Sequence, residues 1–529
     1  MHEIRVYRTH VEITNYRLGD YVYIEKQHSI YDKVYHRFYP KGMHYDKDQK
    51  VLMLPKGVDV DKLKYALGSD TIIRLMGNPD YFEPMTRPLN IRYTPRDDDQ
   101  KQAIKFIMGM DPYQYTANYS MLSLNLNTGK GKSYCAIASI VLRGQRCAII
   151  TDTNGCLEQW KNYFLEYTDI DPNEICWVGP NNIRRLANST KKYSVYLCLH
   201  ATMRAYANRV GWQGVGDLIR SWAVGVKIYD EAHLDMDNMF KIDCYTNTVL
   251  TLYLTATPNR SSYEEDKIFQ EHFKGVPMID LFHYETDPHA KYASIRYNSR
   301  PTARQVSECN NAYGLNRMNY VNYVVNQPAF HQLLHILVNQ AINSSGKSLW
   351  YIGTNNGIAV VFNWLMENYP ELALSVGIYN GEIPKEERKS QLDKKIILTN
   401  TKSSGAALDI QGLTQVINLA EPFKSRVMAQ QTFGRLRGAG IYKDIVDLGF
   451  VQTRAYYNFK KPVFSKYATD CLEVRLNDEE LLNRAKQVLL DRKDLYMPFD
   501  VPDPRPGHEG EYLRKGKYTE EEIEDLLNS

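Results

Sequence analysis

Two series of short apolar runs, with a helical segment between each run and the next, set the tightest limit on how this 529-residue chain can fold. The first series is Met121–Leu126, Cys147–Thr151, Val195–Leu199, Val226–Tyr229 and Leu250–Leu254. The second opens after a Ser344–Lys347 linker and comprises Ser348–Ile352, Ala373–Tyr379, Lys395–Leu398, Gln415–Leu419 and Asp444–Leu448. Continuous apolar runs of this length suit strands buried on both faces, and the intervening helices are the crossovers that parallel strands require. The expected class is therefore α/β, with two tandem parallel-sheet lobes.

The flanks are different. Residues 1–88 read as a small α/β unit: His2–Asn15 and Asp20–Glu25 alternate in part, as strands do, and Val51–Leu54 is a short apolar strand. Asp59 caps a helix that carries Val60, Leu63 and Leu67 on one face. The first lobe is expected over 89–275, a connecting segment over 276–345, the second lobe over 346–452, and a helical extension with a tail over 453–529. Within that extension Asn477, with Glu480 three residues on, has the pattern of a capping box, and Thr519 with Glu522 repeats it near the end.

Composition excludes some classes. With 43% apolar and 24% charged residues the chain can bury sizeable cores. A net charge of +3 means that any polyanion-binding surface has to be a local groove. The eight cysteines form no C-x-x-C pair and most sit in apolar runs, which argues against zinc and for a reducing compartment. The charged, alternating N-terminus is unlike a signal peptide and no apolar stretch is long enough to span a bilayer, so a cytoplasmic location is expected.

Chemistry enters at Leu126-Asn127-Thr128-Gly129-Lys130-Gly131-Lys132-Ser133, between the first strand of the first series and a helix. Gly129 and Gly131 allow the tight turn that aims backbone N–H groups, including those of Thr128 and Lys130, at phosphates. Lys132 supplies a charge to the β and γ oxygens, and the Ser133 hydroxyl suits Mg²⁺. Leu126 stands where the general pattern has its first glycine. About a hundred residues later an apolar strand ends in Asp230-Glu231-Ala232-His233. Asp230 is placed to hold Mg²⁺ through water, and Glu231 to orient and deprotonate the attacking water. ATP and Mg²⁺ are the expected cofactors.

Asp-Glu-Ala-His resembles the motif of DEAH-type superfamily 2 helicases, and the rest of that family's series occurs in order over about 90–450. The resemblance implies two RecA-like lobes and gives roles to named residues. Gln100 is similar to the glutamine that reads adenine. Thr151 to Gln159 and Trp160 resemble the first strand-contacting segment, with Trp160 itself read as core. Thr202, His233, Thr255 and Thr257 are implied in nucleic-acid contact or coupling, as are Thr354 and Thr399 in the second lobe. Asn380-Gly381 with Arg388, and Thr399–Asp409, resemble lobe-two motifs, Asp409 lying on the nucleotide. Gln431-Thr432-Phe433-Gly434-Arg435-Leu436-Arg437 resembles the arginine-finger motif, which gives catalytic roles to Gln431, Arg435 and Arg437. Arg437 stands two residues after Arg435 where the family's spacing is three, so which arginine is the finger stays open.

The Gln431-x-x-Gly434-Arg435-Leu436-Arg437 form resembles that of phage UvsW-type branch-migration helicases more than that of RNA-processing DEAH enzymes, and those phage proteins carry a small α/β domain before the motor. That implies a monomeric motor acting on single-stranded, forked or branched DNA in a host cytoplasm. Within 1–88 the interleaved Lys33, Tyr35, His36, Arg37, Tyr39, Lys41, His44, Tyr45 and Lys47 suit phosphate contact and base stacking. Two alternatives remain: an RNA helicase, and a DNA-stimulated translocase or switch that does not separate strands.

Overall fold

The computed structural model describes residues 2–32, 36–126, 130–232, 235–255, 263–281, 289–311, 314–404 and 410–491, together with 501–502 and 512–513. The chain divides into two units, Met1–Tyr284 and Glu285–Ser529.

The first unit starts with a five-stranded sheet. Its strands are β1 (Glu3–Val6) and β2 (His10–Ile13), then β5 (His44–Asp46), β6 (Val51–Pro55) and β7 (Ile72–Leu75), in the order β5-β6-β2-β1-β7. Between β2 and β5 a separate hairpin, β3 (Ser29–Asp32) and β4 (Arg37–Pro40), pairs only with itself among the described strands. The Asp59 cap forms as expected, accepting from the Lys62 N–H. The Asp20–Glu25 segment is a helix, Val22–Gln27, and not a strand; only Ile24 is buried. A run this short fits either period, and Glu25 decides it by accepting from the Gly19 N–H and the Tyr16 hydroxyl.

This sheet is packed onto the first lobe. Val51 and Met53 pack with Phe240, Cys244 and Tyr245 in one buried cluster. Thr9 donates to the Asp243 carbonyl, and His44 meets the Tyr245 hydroxyl at 3.1 Å. The chain reaches the lobe before residue 88: Asp80 pairs with Asn247, and Met85 joins the lobe's core.

The first lobe is a seven-stranded parallel sheet. Its strands are β8 (Met121–Leu126), β9 (Cys147–Thr151), β10 (Ile175–Val178), β11 (Val195–Leu199), β12 (Val226–Tyr229), β13 (Leu250–Thr255) and β14 (Met278–Leu281), in the order β10-β11-β9-β12-β13-β8-β14. β14 lies past residue 275, the expected limit of this lobe. Under the sheet Lys227 and Asp243 form an ion pair at 2.5 Å with both side chains fully buried. The Tyr229 and Tyr253 hydroxyls, from adjacent strands, donate to the same Asp243 carboxylate at 2.8 and 2.6 Å. Three partners on one carboxylate satisfy a charge that would otherwise be costly to bury.

The second unit repeats the architecture. β15 (Ala290–Tyr297) enters the sheet, the pair β16 (Asn310–Asn311) and β17 (Gly314–Leu315) stays outside it, and β18 (Lys347–Ile352), β19 (Val376–Tyr379), β20 (Ile396–Thr399), β21 (Leu413–Ala420), β22 (Gly440–Asp447) and β23 (Ala468–Arg475) complete it. The order is β19-β20-β18-β21-β22-β15-β23, all parallel. Two expectations are corrected. The 276–345 segment is not a connector, because β15 and the buried Pro328–Ile342 helix belong to this lobe; the 453–529 extension is not wholly helical, because β23 is a sheet strand. β15 carries Lys291, Ser294 and Arg296, and β23 is a largely exposed edge, so neither reads as an apolar run. Asn477 and Glu480 do cap the Asp478–Asp491 helix reciprocally. Thr519 and Glu522 lie outside the described residues.

Candidate nucleotide and nucleic-acid site

In a parallel sheet the loops after the strands converge at one edge, where ligands bind. In the first lobe β12, β13 and β8 are neighbours, so Asp230, Thr255 and the loop from Leu126 come to that edge side by side. The Lys132–Arg143 helix starts directly from Gly131, whose backbone is left-handed (φ 88°) and whose position carries no side-chain cap. The first-turn N–H groups of Lys132 and Ser133 are thus left for an anion. Lys132 Nζ donates to the Leu126 carbonyl at 3.2 Å. Asn127, Thr128 and Gly129 lie outside the described residues.

Gln100 is buried against this loop. Its Nε2 donates to the Lys130 carbonyl at 3.0 Å, and its Oε1 accepts from the Arg96 N–H at 2.9 Å. A Cβ at Gly131 would meet that Nε2 at 2.3 Å, so glycine is required there on two counts. An amide holding two backbone groups keeps one N–H and one lone pair for a base edge. Gln100→Ala is therefore expected to weaken ATP binding and narrow the ATP-over-GTP preference together, as nucleotide competition would measure. Equal use of GTP by the unaltered protein would remove the adenine role.

Asp230 directly follows β12, and Glu231 turns the chain with a left-handed backbone (φ 50°). That conformation is costly outside glycine, and it stands two residues past Tyr229, the last residue of β12. The Glu231 N–H donates to Asp230 Oδ1 at 3.1 Å, and the Ala232 N–H to the Leu254 carbonyl at 3.0 Å, which ties this turn to β13. The second Asp230 oxygen accepts from the indole N–H of Trp160 at 2.8 Å. Burial and then the neighbouring Glu231 push the Asp230 pKa up, while Trp160 and Lys132 pull it back. His233 and Thr257 lie outside the described residues.

Of the implied nucleic-acid residues in this lobe, Thr151, Thr202 and Thr255 fall at the same edge. Thr151 ends β9, and Thr153 caps the Asn154–Tyr167 helix by accepting from the Cys156 N–H. Gln159 donates to the Tyr163 hydroxyl at 2.5 Å. Thr202 is buried in the first turn of the His200–Ser221 helix, and Thr255 is buried at the end of β13.

In the second lobe four adjacent strand ends carry a polar network. Thr354 caps the Asn355–Asn368 helix, accepting from the Gly357 N–H. Asn380 accepts from the Glu382 and Ile383 N–H groups, and Arg388 donates to the Ile383 and Gly381 carbonyls. Thr399 donates to the Tyr379 carbonyl at 2.7 Å. Asn400 links Asn355 to the Ser403 N–H, and Glu421 accepts from Arg317 at 2.6 Å and from the Thr401 N–H at 3.3 Å. Arg317, Asn355, Asn400 and Glu421 were missed by sequence reasoning; each is a polar residue near a strand end that carries no motif of its own. Gln431 lies in the last turn of the Arg426–Phe433 helix. Arg435 just beyond is buried, whereas Arg437 is exposed. Asp409 lies outside the described residues.

Residues 93–260 match the family model of the type III restriction enzyme res subunit. This stretch holds the Gln100, Lys132 and Asp230-Glu231 elements just described. The chain resembles the superfamily 2 helicases. It is 26% identical over 206 residues to the general transcription and DNA repair factor IIH helicase/translocase subunit XPB of Danio rerio, covering 36% of this chain and 25% of that protein. To the corresponding subunit of Encephalitozoon cuniculi (strain GB-M1) it is 28% identical over 169 residues, 31% of this chain and 23% of that one. The chain thus spans about a quarter of the length of the curated relatives it matches. Among solved structures, T4 UvsW aligns over 90% of this chain and 99% of its own at 14% identity and a TM-score of 0.32. S. cerevisiae Dbp5 bound to RNA and ADP BeF3 aligns over 74% and 92% at 15% identity and a TM-score of 0.47.

Proposed function

We propose that this chain is an ATP-dependent DNA helicase or translocase that remodels forked and branched DNA. The observation that carries the reading is the meeting, at one sheet edge, of an uncapped helix N-terminus bearing Lys132 and Ser133 with the Asp230–Glu231 turn. These groups fit ATP and Mg²⁺: Lys132 and the first-turn N–H groups would hold phosphate, and Ser133 and Asp230 would hold the ion through water. Bound there, the ion neutralises charge on the transferred phosphoryl group. Glu231 accepts the proton of the attacking water. The chain divides at residue 284 into two units, each holding one of the seven-stranded parallel sheets.

DNA as the substrate rests on the resemblance to branch-migration enzymes and on the β3–β4 hairpin. Tyr31 and Phe38 are exposed and pack on each other with ring centroids 5.1 Å apart and planes tilted by 56°, Lys26 lies over the Phe38 ring and Arg37 over Tyr39. Exposed aromatics interleaved with cations suit a sugar–phosphate backbone beside an opened base. His44 and Tyr45, expected in this strip, are engaged elsewhere, His44 with Tyr245 and Tyr45 with the Tyr16 carbonyl. Lys33 and Tyr35 lie outside the described residues.

Removing 1–88 would strip Val51 and Met53 from the first lobe's apolar surface, at ~1.5–3 kcal/mol per buried side chain, so truncation confounds stability with recognition. The sharper test pairs Arg37→Ala with Phe38→Ala and measures ATPase rate on single-stranded, duplex, forked and four-way DNA and on RNA. Loss of the fork and junction preference with the single-strand rate kept is expected, and the residual binding should show a shallower salt dependence. An unchanged preference removes the hairpin from recognition; stimulation by RNA above every DNA makes the substrate RNA.

A further inference from the structure

We infer that Trp160 is a positioning residue for the carboxylate that holds the metal, resting on the nucleotide-site reading above. Trp160 is almost wholly buried, which agrees with its reading as core, yet its one polar atom is spent on Asp230. An indole N–H inside a core needs an acceptor, and any main-chain carbonyl would serve. Here it meets a catalytic carboxylate from a helix that otherwise contributes apolar packing, with Cys156, Leu157 and Phe164 buried on that face.

The geometry gives the two Asp230 oxygens separate donors, the Glu231 N–H on one and Trp160 on the other. A carboxylate held at both ends cannot rotate about its terminal bond, and each oxygen keeps a lone pair for a metal-bound water. Partners of this kind, one shell out from a metal, typically change affinity or activity by ~10–100-fold when removed. The Trp160 helix is also the one capped by Thr153, two residues beyond the end of β9, so the donor to Asp230 and the segment resembling a strand contact share one rigid element.

Two substitutions separate positioning from packing. Trp160→Phe removes the N–H with part of the ring. Replacing Trp160 by β-(3-benzothienyl)alanine exchanges the N–H for sulfur and keeps the bicyclic shape, so it stays informative if the phenylalanine variant fails to fold. Mn²⁺ affinity, titrated by electron paramagnetic resonance with a non-hydrolysable ATP analogue present, is expected to weaken about tenfold or more in both. Half-maximal Mg²⁺ for hydrolysis should rise alongside, with the ATP KM less affected. Unchanged Mn²⁺ affinity in the benzothienyl variant overturns the inference, including when only the melting temperature falls. Absence of nucleotide-dependent Mn²⁺ binding in the unaltered protein would instead overturn the nucleotide-site reading.

Discussion

Lys132→Ala is expected to abolish ATP hydrolysis, and Glu231→Gln to bind ATP while turning it over very slowly. Lys132 opens a helix whose N-terminus has no side-chain cap, so its ammonium and the first-turn N–H groups form one cationic cradle. Removing the ammonium takes away the charge that faces the β and γ oxygens both before and during transfer, so binding and turnover fall together. Glu231 is different. Its carboxylate is presented by a left-handed residue just past β12, and its loss affects only the proton transfer, for which a general base is worth ~10²–10⁴ in rate. Glutamine keeps the shape without the basicity, so trapped ATP should accumulate. Nucleotide binding by filter retention and single-turnover hydrolysis check both variants. Normal turnover in either would remove the phosphate-clamp or water-activating assignment.

Arg437→Ala is expected to lower the stimulated hydrolysis rate by ~10³-fold or more, the scale on which fingers act in GTPases. The motif resemblance leaves Arg435 and Arg437 as candidates, because their spacing is one residue short. Within the second unit the two differ. Arg435 is buried and its N–H is turned back toward the Thr432 carbonyl, whereas Arg437 is exposed past the end of the helix. A finger supplied in cis has to leave its own lobe, which an exposed side chain can do at less cost in burial than a buried one. Arg435→Ala should therefore cost stability, seen as a lower melting temperature, more than turnover. A dead Arg435→Ala beside an active Arg437→Ala would exchange the roles, and full activity in both would set the motif aside.

The parts of the site legible in the sequence are those where chemistry sits at a break in period. The loop from Leu126 to Ser133 interrupts strand and helix with glycines, and Asp230-Glu231 ends an apolar run, so both stand out against their surroundings. Strands buried on both faces were legible for the same reason: β8, β9, β11, β12 and β13 are short runs in which apolar residues predominate. β15 and β23 were not. The first pairs across more than a hundred residues with β22, and the second is an exposed edge, so their polar residues hide a strand that exists only through its neighbours.

Local sequence by itself determined the two parallel lobes, the phosphate loop and the carboxylate pair, because helix and strand periods and glycine conformations are short-range properties. Only the tertiary structure decided what each polar side chain touches. It spent Gln100 on the Lys130 carbonyl, turned Trp160 toward Asp230, buried Arg435 while leaving Arg437 exposed, and drew His44 from the hairpin strip into contact with Tyr245. A buried hydrogen bond is chosen among partners far apart in the chain, by which donor and acceptor the packed core brings within about 3 Å of each other.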